Sequence, residues 1–387
     1  MSKKLAHTLG RRDFLTAGVT LAAAPFFNRN RYQLFAQQQA SYSRRAIDLV
    51  VSTTVIDMTC ALSLSGSTHG RYMRSPAEFT AAELQRFRDS GISVLHAGFG
   101  GDGGDQYASM LREFGLLNGF LAHHHAHLMR IDSVAALEGV KASGKIGILL
   151  GRQNAAHFRV VDDVDFFHSL GQRVSQLTYN NRNMIGNGFA ERRDDGISDF
   201  GVAVINRMNK VGMAIDVSHC GDRTTLDAFE LSAKPVLVTH SNARALADHP
   251  RCKTDEAIRK MAARGGVIGI TGVRNFVKTT EPTTIEDMLD HYDHVRRLVG
   301  VQHVGLGSDI DLDGNDDLTP QEQQSLRNLS ALYAFRAKFD IEGVDHPKRV
   351  FDLTEGLIRR GYSDADIRLV LGDNFRRALK EIWTVRI

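Results

Sequence analysis

GMAIDVSHC, residues 212–220, is a short apolar run that opens on a glycine and ends on Asp216, Ser218 and His219. Apolar runs of this length read as strands buried on both faces. Such a strand normally closes on turn residues, so an imidazole at its carboxyl end needs a reason. A lone histidine there would simply pack in the core or cap the strand locally. The other strand ends decide between the two.

Seven further runs resemble it: 49–58, 92–98, 146–151, 173–179, 235–241, 265–272 and 303–311. Between them lie amphipathic stretches with helix punctuation. SPAEFTAAELQRFRDSG starts at Ser75 with Pro76 next, a favoured pair for a helix start, and stops at Gly91. DFGVAVINRMNKVG and TIEDMLDHYDHVRRLVG likewise end on glycine. Eight strand–helix alternations predict a (β/α)8 TIM-type barrel over residues 41–387, one domain, with further helices from 346 onward packed on its exterior. No strand is followed by a glycine-rich nucleotide loop, which argues against an open doubly wound sheet. GFGGDGGDQ, 98–106, lacks both phosphate-binding spacings and reads as a rim loop.

In such barrels the chemistry sits at the carboxyl ends of the strands. The fifth run ends on His219, the sixth on His240, and the eighth on Asp309 with Asp311 beyond. Two histidines and an aspartate on three strand tips can converge on one point, and they form a donor set suited to a zinc-like ion with positions left open. The bland reading of His219 weakens once His240 stands beside it.

At these residues the sequence resembles the membrane (renal-type) dipeptidases, peptidase family M19, amidohydrolase-like metal barrels. The resemblance is carried by DFGVAVINRMNKVGMAIDVSHCGDRTT, SAKPVLVTHSNARALADHPR, VGLGSDIDLDG, LGQRVSQLTYNNRN and LGDNFRRAL. It implies that His219 and His240 hold the second zinc of a two-metal site. It implies that Asp309 acts on the water or the departing amine, and that Arg251 grips a substrate carboxylate, work suited to a guanidinium fork. Tyr179 stands where the family has a histidine that polarises the scissile carbonyl, with Asn180 beside it to help orient that group.

The departures carry equal weight. The family's first strand ends in a His-x-Asp pair for the first zinc, and VIDMTCALS places Thr59 and Ala61 there. The bridging glutamate of the third strand is replaced by GRQNA, with Gln153 nearest the tip. A neutral amide cannot offset two neighbouring cations. Asp57 lies close but off the family's positions and reads as a cap on the strand end. The chain therefore reads as a divergent bacterial branch with an incomplete first metal site and about one zinc (Zn2+) per chain.

Other histidines carry less. In AHHHAHLMR, His123 and His127 are four apart, but without an HExxH glutamate they read as a solvated helix face. His96 could line the pocket or belong to the core. Cys220 should point into packing behind His219.

The 387 residues contain 42% hydrophobic and 24% charged residues, ordinary for a soluble enzyme. The net charge of +3 comes from the N-terminus, where residues 1–40 hold six of the 48 basic residues and one of the 45 acidic ones. That leaves 42 against 44, so no nucleic-acid face is implied. The start GRRDFLTAGVTLAAAPFF fits a twin-arginine export signal with Arg11 and Arg12 as the pair, followed by a linker to about residue 40. The expectation is recognition by the export machinery and a periplasmic destination. Its apolar stretch is too short to span a bilayer, and no later segment is apolar enough. Three cysteines without CxxC spacing exclude a disulfide framework, though one bridge would be allowed. A homodimer is the family's usual state, by analogy only.

Two functional readings follow. The first is a metal-dependent dipeptidase-like hydrolase acting on dipeptides or small amides with a free carboxylate, through a mononuclear site. The second keeps the barrel but lacks peptidase activity, serving a periplasmic tailoring step or binding a ligand without turnover.

Overall fold

The computed structural model describes residues 42–384 apart from 61, 64, 65, 317, 329 and 330. The export signal expected in residues 1–40 and the Ala61 position therefore lie outside the described residues.

Eight parallel strands form the barrel wall: β1 Ile56–Asp57, β2 Val94–Phe99, β3 Ile146–Arg152, β4 Val174–Gln176, β5 Ala214–Asp216, β6 Val238–Ser241, β7 Ile268–Ile270 and β8 Val304–Leu306. The pairing runs β5-β4-β3-β2-β1-β8-β7-β6, and a parallel bridge between Asp216 and Leu237 brings the two ends together. A short strand, Leu128–Arg130, adds to the outer edge of β3 and was not visible in the sequence. The runs are apolar because both faces are covered: every residue of β3 is buried.

Helices pack outside, and local chemistry sets their ends. The helix Asp199–Val211 starts at Ser198, whose side chain accepts from Gly201 N, and stops at Gly212 with φ of +79°. Three expectations shift. Residues 49–52 of the first apolar run belong to the helix Arg44–Ser52, so β1 is two residues long. That helix buries Ala46, Ile47, Leu49 and Val50 on one face, and the run mixed two elements. Pro76 opens only a three-residue 3-10 turn, and the helix proper, Ala81–Asp89, starts at a Thr80–Glu83 capping box. The helix ahead of the histidine cluster ends at His123, so His127 is not on its face.

The C-terminal helix Asn374–Trp383 does more than cover the exterior. Phe375, Ala378, Leu379 and Ile382 cluster with Ile56, Val94, Val174 and Ala214, at the amino ends of four strands, and so plug the bottom of the barrel. Phe375 fits against Gly305, where a Cβ would come within 2.5 Å of its ring. The opposite end stays open for chemistry. Among the described residues no helix is long and apolar enough to cross a membrane.

Candidate active site

The end of β5 explains its own sequence. Backbone pairing with β6 stops after Leu237 N–Ile215 O (2.8 Å) and Val217 N–Leu237 O (3.0 Å). Beyond that point side chains replace the ladder. Thr239 N donates to Asp216 Oδ1 (3.0 Å), and His240 N donates to Ser218 Oγ (3.1 Å). The same Asp216 carboxylate accepts from Ser218 Oγ (2.6 Å) and Thr239 Oγ1 (2.7 Å). Asp216 and Ser218 thus hold the two strand tips at a fixed offset.

That offset sets His219 against His240. Their Nε2 atoms face each other at 3.1 Å. His219 Nδ1 lies 2.9 Å from Asn180 Oδ1, an oxygen that can only accept, so Nδ1 carries the proton. His240 Nδ1 lies 2.8 Å from Thr239 Oγ1 and 2.9 Å from Thr59 Oγ1. Both hydroxyl protons are spent elsewhere, on Asp216 and on Met58 O, so both oxygens accept from Nδ1–H. Two lone pairs therefore point at one another in a buried place. Burial, then the Arg251 charge, holds both imidazoles well below their ordinary pKa and neutral.

Facing lone pairs repel unless a cation lies between them. Two imidazoles on one tetrahedral zinc stand about 3.3 Å apart. The pair fits one ion with almost no movement. The residues near the first-metal positions are engaged in other bonds. Thr59 is engaged with His240, Gln153 donates its amide to Gly98 O (2.7 Å), and Asp57 accepts from Ser308 N (2.8 Å) and Ser308 Oγ (2.6 Å). Asp57 is thereby tied to Ser308 at the end of the neighbouring β8. Among the described residues no three His, Cys, Asp or Glu side chains group as a metal cluster.

Asp309 follows β8 with φ of +59°, a left-handed turn that is strained for a non-glycine residue. It lines the same cavity of about 300 Å³ as His219, Tyr179, Thr59 and Gln153. Burial pushes its carboxyl up to about 7, against the Arg251 charge. Tyr179 stacks on His219 with ring centroids 4.3 Å apart, and burial pushes its phenol up to about 12.

The sequence model of membrane dipeptidases, peptidase family M19, matches residues 43–386. The chain belongs to the membrane dipeptidase family. An uncharacterised dipeptidase of Schizosaccharomyces pombe is 33% identical over 190 residues, 46% of this chain and 44% of that protein. Dipeptidase tcpJ of Claviceps purpurea is 28% identical over 247 residues, 63% and 52% of the two chains. The matched region thus spans about half the length of these curated relatives. An amidohydrolase from Pseudomonas aeruginosa shares the fold with a TM-score of 0.75 at 27% identity, covering 87% of this chain and 99% of its own. A metallopeptidase from Rhodobacter sphaeroides, solved with a phosphinate mimic of L-Ala-D-Ala, superposes with a TM-score of 0.70 at 19% identity, over 86% and 99%.

Within this membrane dipeptidase fold, two expected site residues stand behind the cavity wall. Arg251 is fully buried and donates to Ser218 O and, at 2.9 Å, to His240 O. Its fork braces both histidine-bearing strand tips, and its Nε finds no partner among the described residues. Asn180 is buried too and orients His219. His96 belongs to the core: Nδ1 bonds Met58 O at 2.6 Å, and the ring packs where a Cβ on Gly151 would collide. All three cysteines are buried thiols outside any disulfide, with Cys220 beside Thr178 behind His219.

Sequence reasoning missed Tyr333. Its hydroxyl donates to Asn180 Oδ1 (2.8 Å), the oxygen that holds His219, and its ring lines the cavity. It sits far beyond β8 in a stretch without the motifs of the strand ends. Asp216 carries no role in the sequence motifs; its place three residues before a strand-tip histidine is the available signal.

Proposed function

We propose that this chain is a metal-dependent dipeptidase-like hydrolase that uses one zinc ion between His219 and His240. The observation that carries the reading is the 3.1 Å approach of two neutral Nε2 acceptors whose Nδ1 protons are committed elsewhere. An ion held there supplies Lewis acidity at the cavity floor.

The residues around it have defined tasks. Asp309, near neutral in its titration, takes a proton from the attacking water and returns it to the departing amine. Tyr179 keeps its phenol protonated and offers a hydrogen bond to the scissile carbonyl. Asn180 fixes the tautomer of His219. Arg251 places a buried positive charge behind the site that favours a substrate with a free carboxylate. The chain is also read as exported to the periplasm through Arg11 and Arg12.

Metal analysis of the purified protein tests this. About one zinc per chain is expected, lost in His219→Ala and His240→Ala together with dipeptide hydrolysis. No bound metal after growth and dialysis in zinc-replete buffer would sink the reading. Retained metal with no hydrolysis across a dipeptide panel would favour the ligand-binding alternative, for which Thr59 and Gln153 at the first-metal positions are the motivating observation.

A further inference from the structure

One side of the cavity is a continuous aromatic wall. Phe276 and Tyr333 lie with ring centroids 5.7 Å apart, Tyr333 stacks on Phe335 at 4.9 Å and 5°, and Phe335 meets Phe339 at 5.0 Å. All four line the cavity together with His219. The wall begins at the catalytic imidazole, because Tyr333 shares Asn180 Oδ1 with His219.

The wall is held from behind. Asn275 Nδ2 donates to Tyr333 O (2.7 Å), Arg327 donates to Phe335 O (3.2 Å) and lies 4.5 Å from the Phe339 ring centroid, and Asp316 Oδ1 accepts from Phe339 N (2.8 Å). These bonds fix the backbone that carries the rings. Asp309 and Asp311 line the same cavity, and among the described residues no lysine or arginine does.

We infer that the cavity selects substrates with a bulky apolar side chain, aromatic above all, laid against Phe276, Tyr333, Phe335 and Phe339, and that it rejects acidic side chains. The inference rests on the hydrolase reading for its kinetic arm only. Rigid aromatic surface rewards apolar area that leaves water, and an added carboxylate would be desolvated beside two carboxyl groups. The volume of about 300 Å³ admits one such small ligand.

The test compares Ala-Ala, Ala-Phe, Phe-Ala, Ala-Glu and Glu-Ala as substrates, and measures binding of free phenylalanine, alanine and glutamate to the wild-type protein by titration calorimetry. A phenylalanine-containing dipeptide should exceed Ala-Ala in kcat/KM by roughly tenfold or more, and glutamate should be worst in both arms. Phe335→Ala and Phe339→Ala should remove the preference while zinc content stays unchanged. Hydrolysis with less than a twofold preference for phenylalanine over alanine would overturn the inference and leave the hydrolase reading standing. No hydrolysis, with phenylalanine still bound preferentially and the preference lost in Phe339→Ala, would overturn the hydrolase reading alone.

Discussion

Thr59 Oγ1 sits 2.9 Å from His240 Nδ1, on the opposite side of the ring from the atom that faces His219. The side chain at a position that the family resemblance marks as a metal ligand is thus bonded to His240.

Replacing Thr59 by Val should weaken zinc binding without emptying the site. Partners that hold a ligating histidine typically matter about 10- to 100-fold in affinity. Because Thr239 also accepts from Nδ1, Thr59→Val should fall near tenfold, and Thr59→Ser should restore binding. Competition with a chromogenic chelator measures both. Unchanged affinity in Thr59→Val would show that Thr239 alone suffices.

Asp216→Asn should be more damaging. The carboxylate takes four hydrogen bonds that fix Ser218 and Thr239, and an amide nitrogen in place of one oxygen turns acceptor into donor. A loss of melting temperature and of zinc affinity together is expected, at a cost of about 1–3 kcal/mol. Wild-type values for both would contradict the strand-tip role given to Asp216.

Gly100 is matched to Tyr179: a Cβ there would lie 2.2 Å from the ring. Gly100→Ala should displace the ring from its stack on His219 and lower kcat/KM by about tenfold or more, since small misplacements near reacting groups are costly. Circular dichroism and zinc content should stay as in wild type. Full activity would remove Tyr179 from the catalytic set.

The pH dependence of the metal-free protein has a definite sign. Asp309 and Asp311 are pushed up to about 7 and about 6, chiefly by burial, from unfolded values near 4. Groups raised in this way contribute stability that is present below about pH 4 and lost as pH rises through 6 and 7. The buried histidines act oppositely, so the informative quantity is a difference. Asp309→Asn should gain melting temperature over wild type at pH 8 and none at pH 4. A constant offset across that range would contradict the raised carboxyl.

Much of this was legible because parallel strands buried on both faces write themselves as Val, Ile and Leu runs, and functional polar residues interrupt those runs at their ends. His219, His240 and Asp309 were read as candidates that way, and the fold brings His219 against His240 and places Asp309 in the cavity that His219 lines. The run 49–58 misled because an amphipathic helix end and a two-residue strand share the same residues. Arg251 was recognised, but its hydrogen bonds to Ser218 O and His240 O depend on how two strand tips approach, which spacing does not encode. Tyr333 was invisible because its hydroxyl meets Asn180, 153 residues away in sequence, and His219 Nδ1, 114 residues away, contacts that no local pattern encodes.

The barrel's closing joint has a further consequence. Between β5 and β6 the ladder is reduced to two backbone hydrogen bonds and then handed to side chains, and the two histidines stand on opposite lips of that joint. An ion shared by them would work as a rivet across the seam. Occupancy would then register in amide exchange along Ala214–Asp216 and Val238–Ser241 as much as in turnover, so the same atom that serves chemistry would also set how tightly the cylinder is shut.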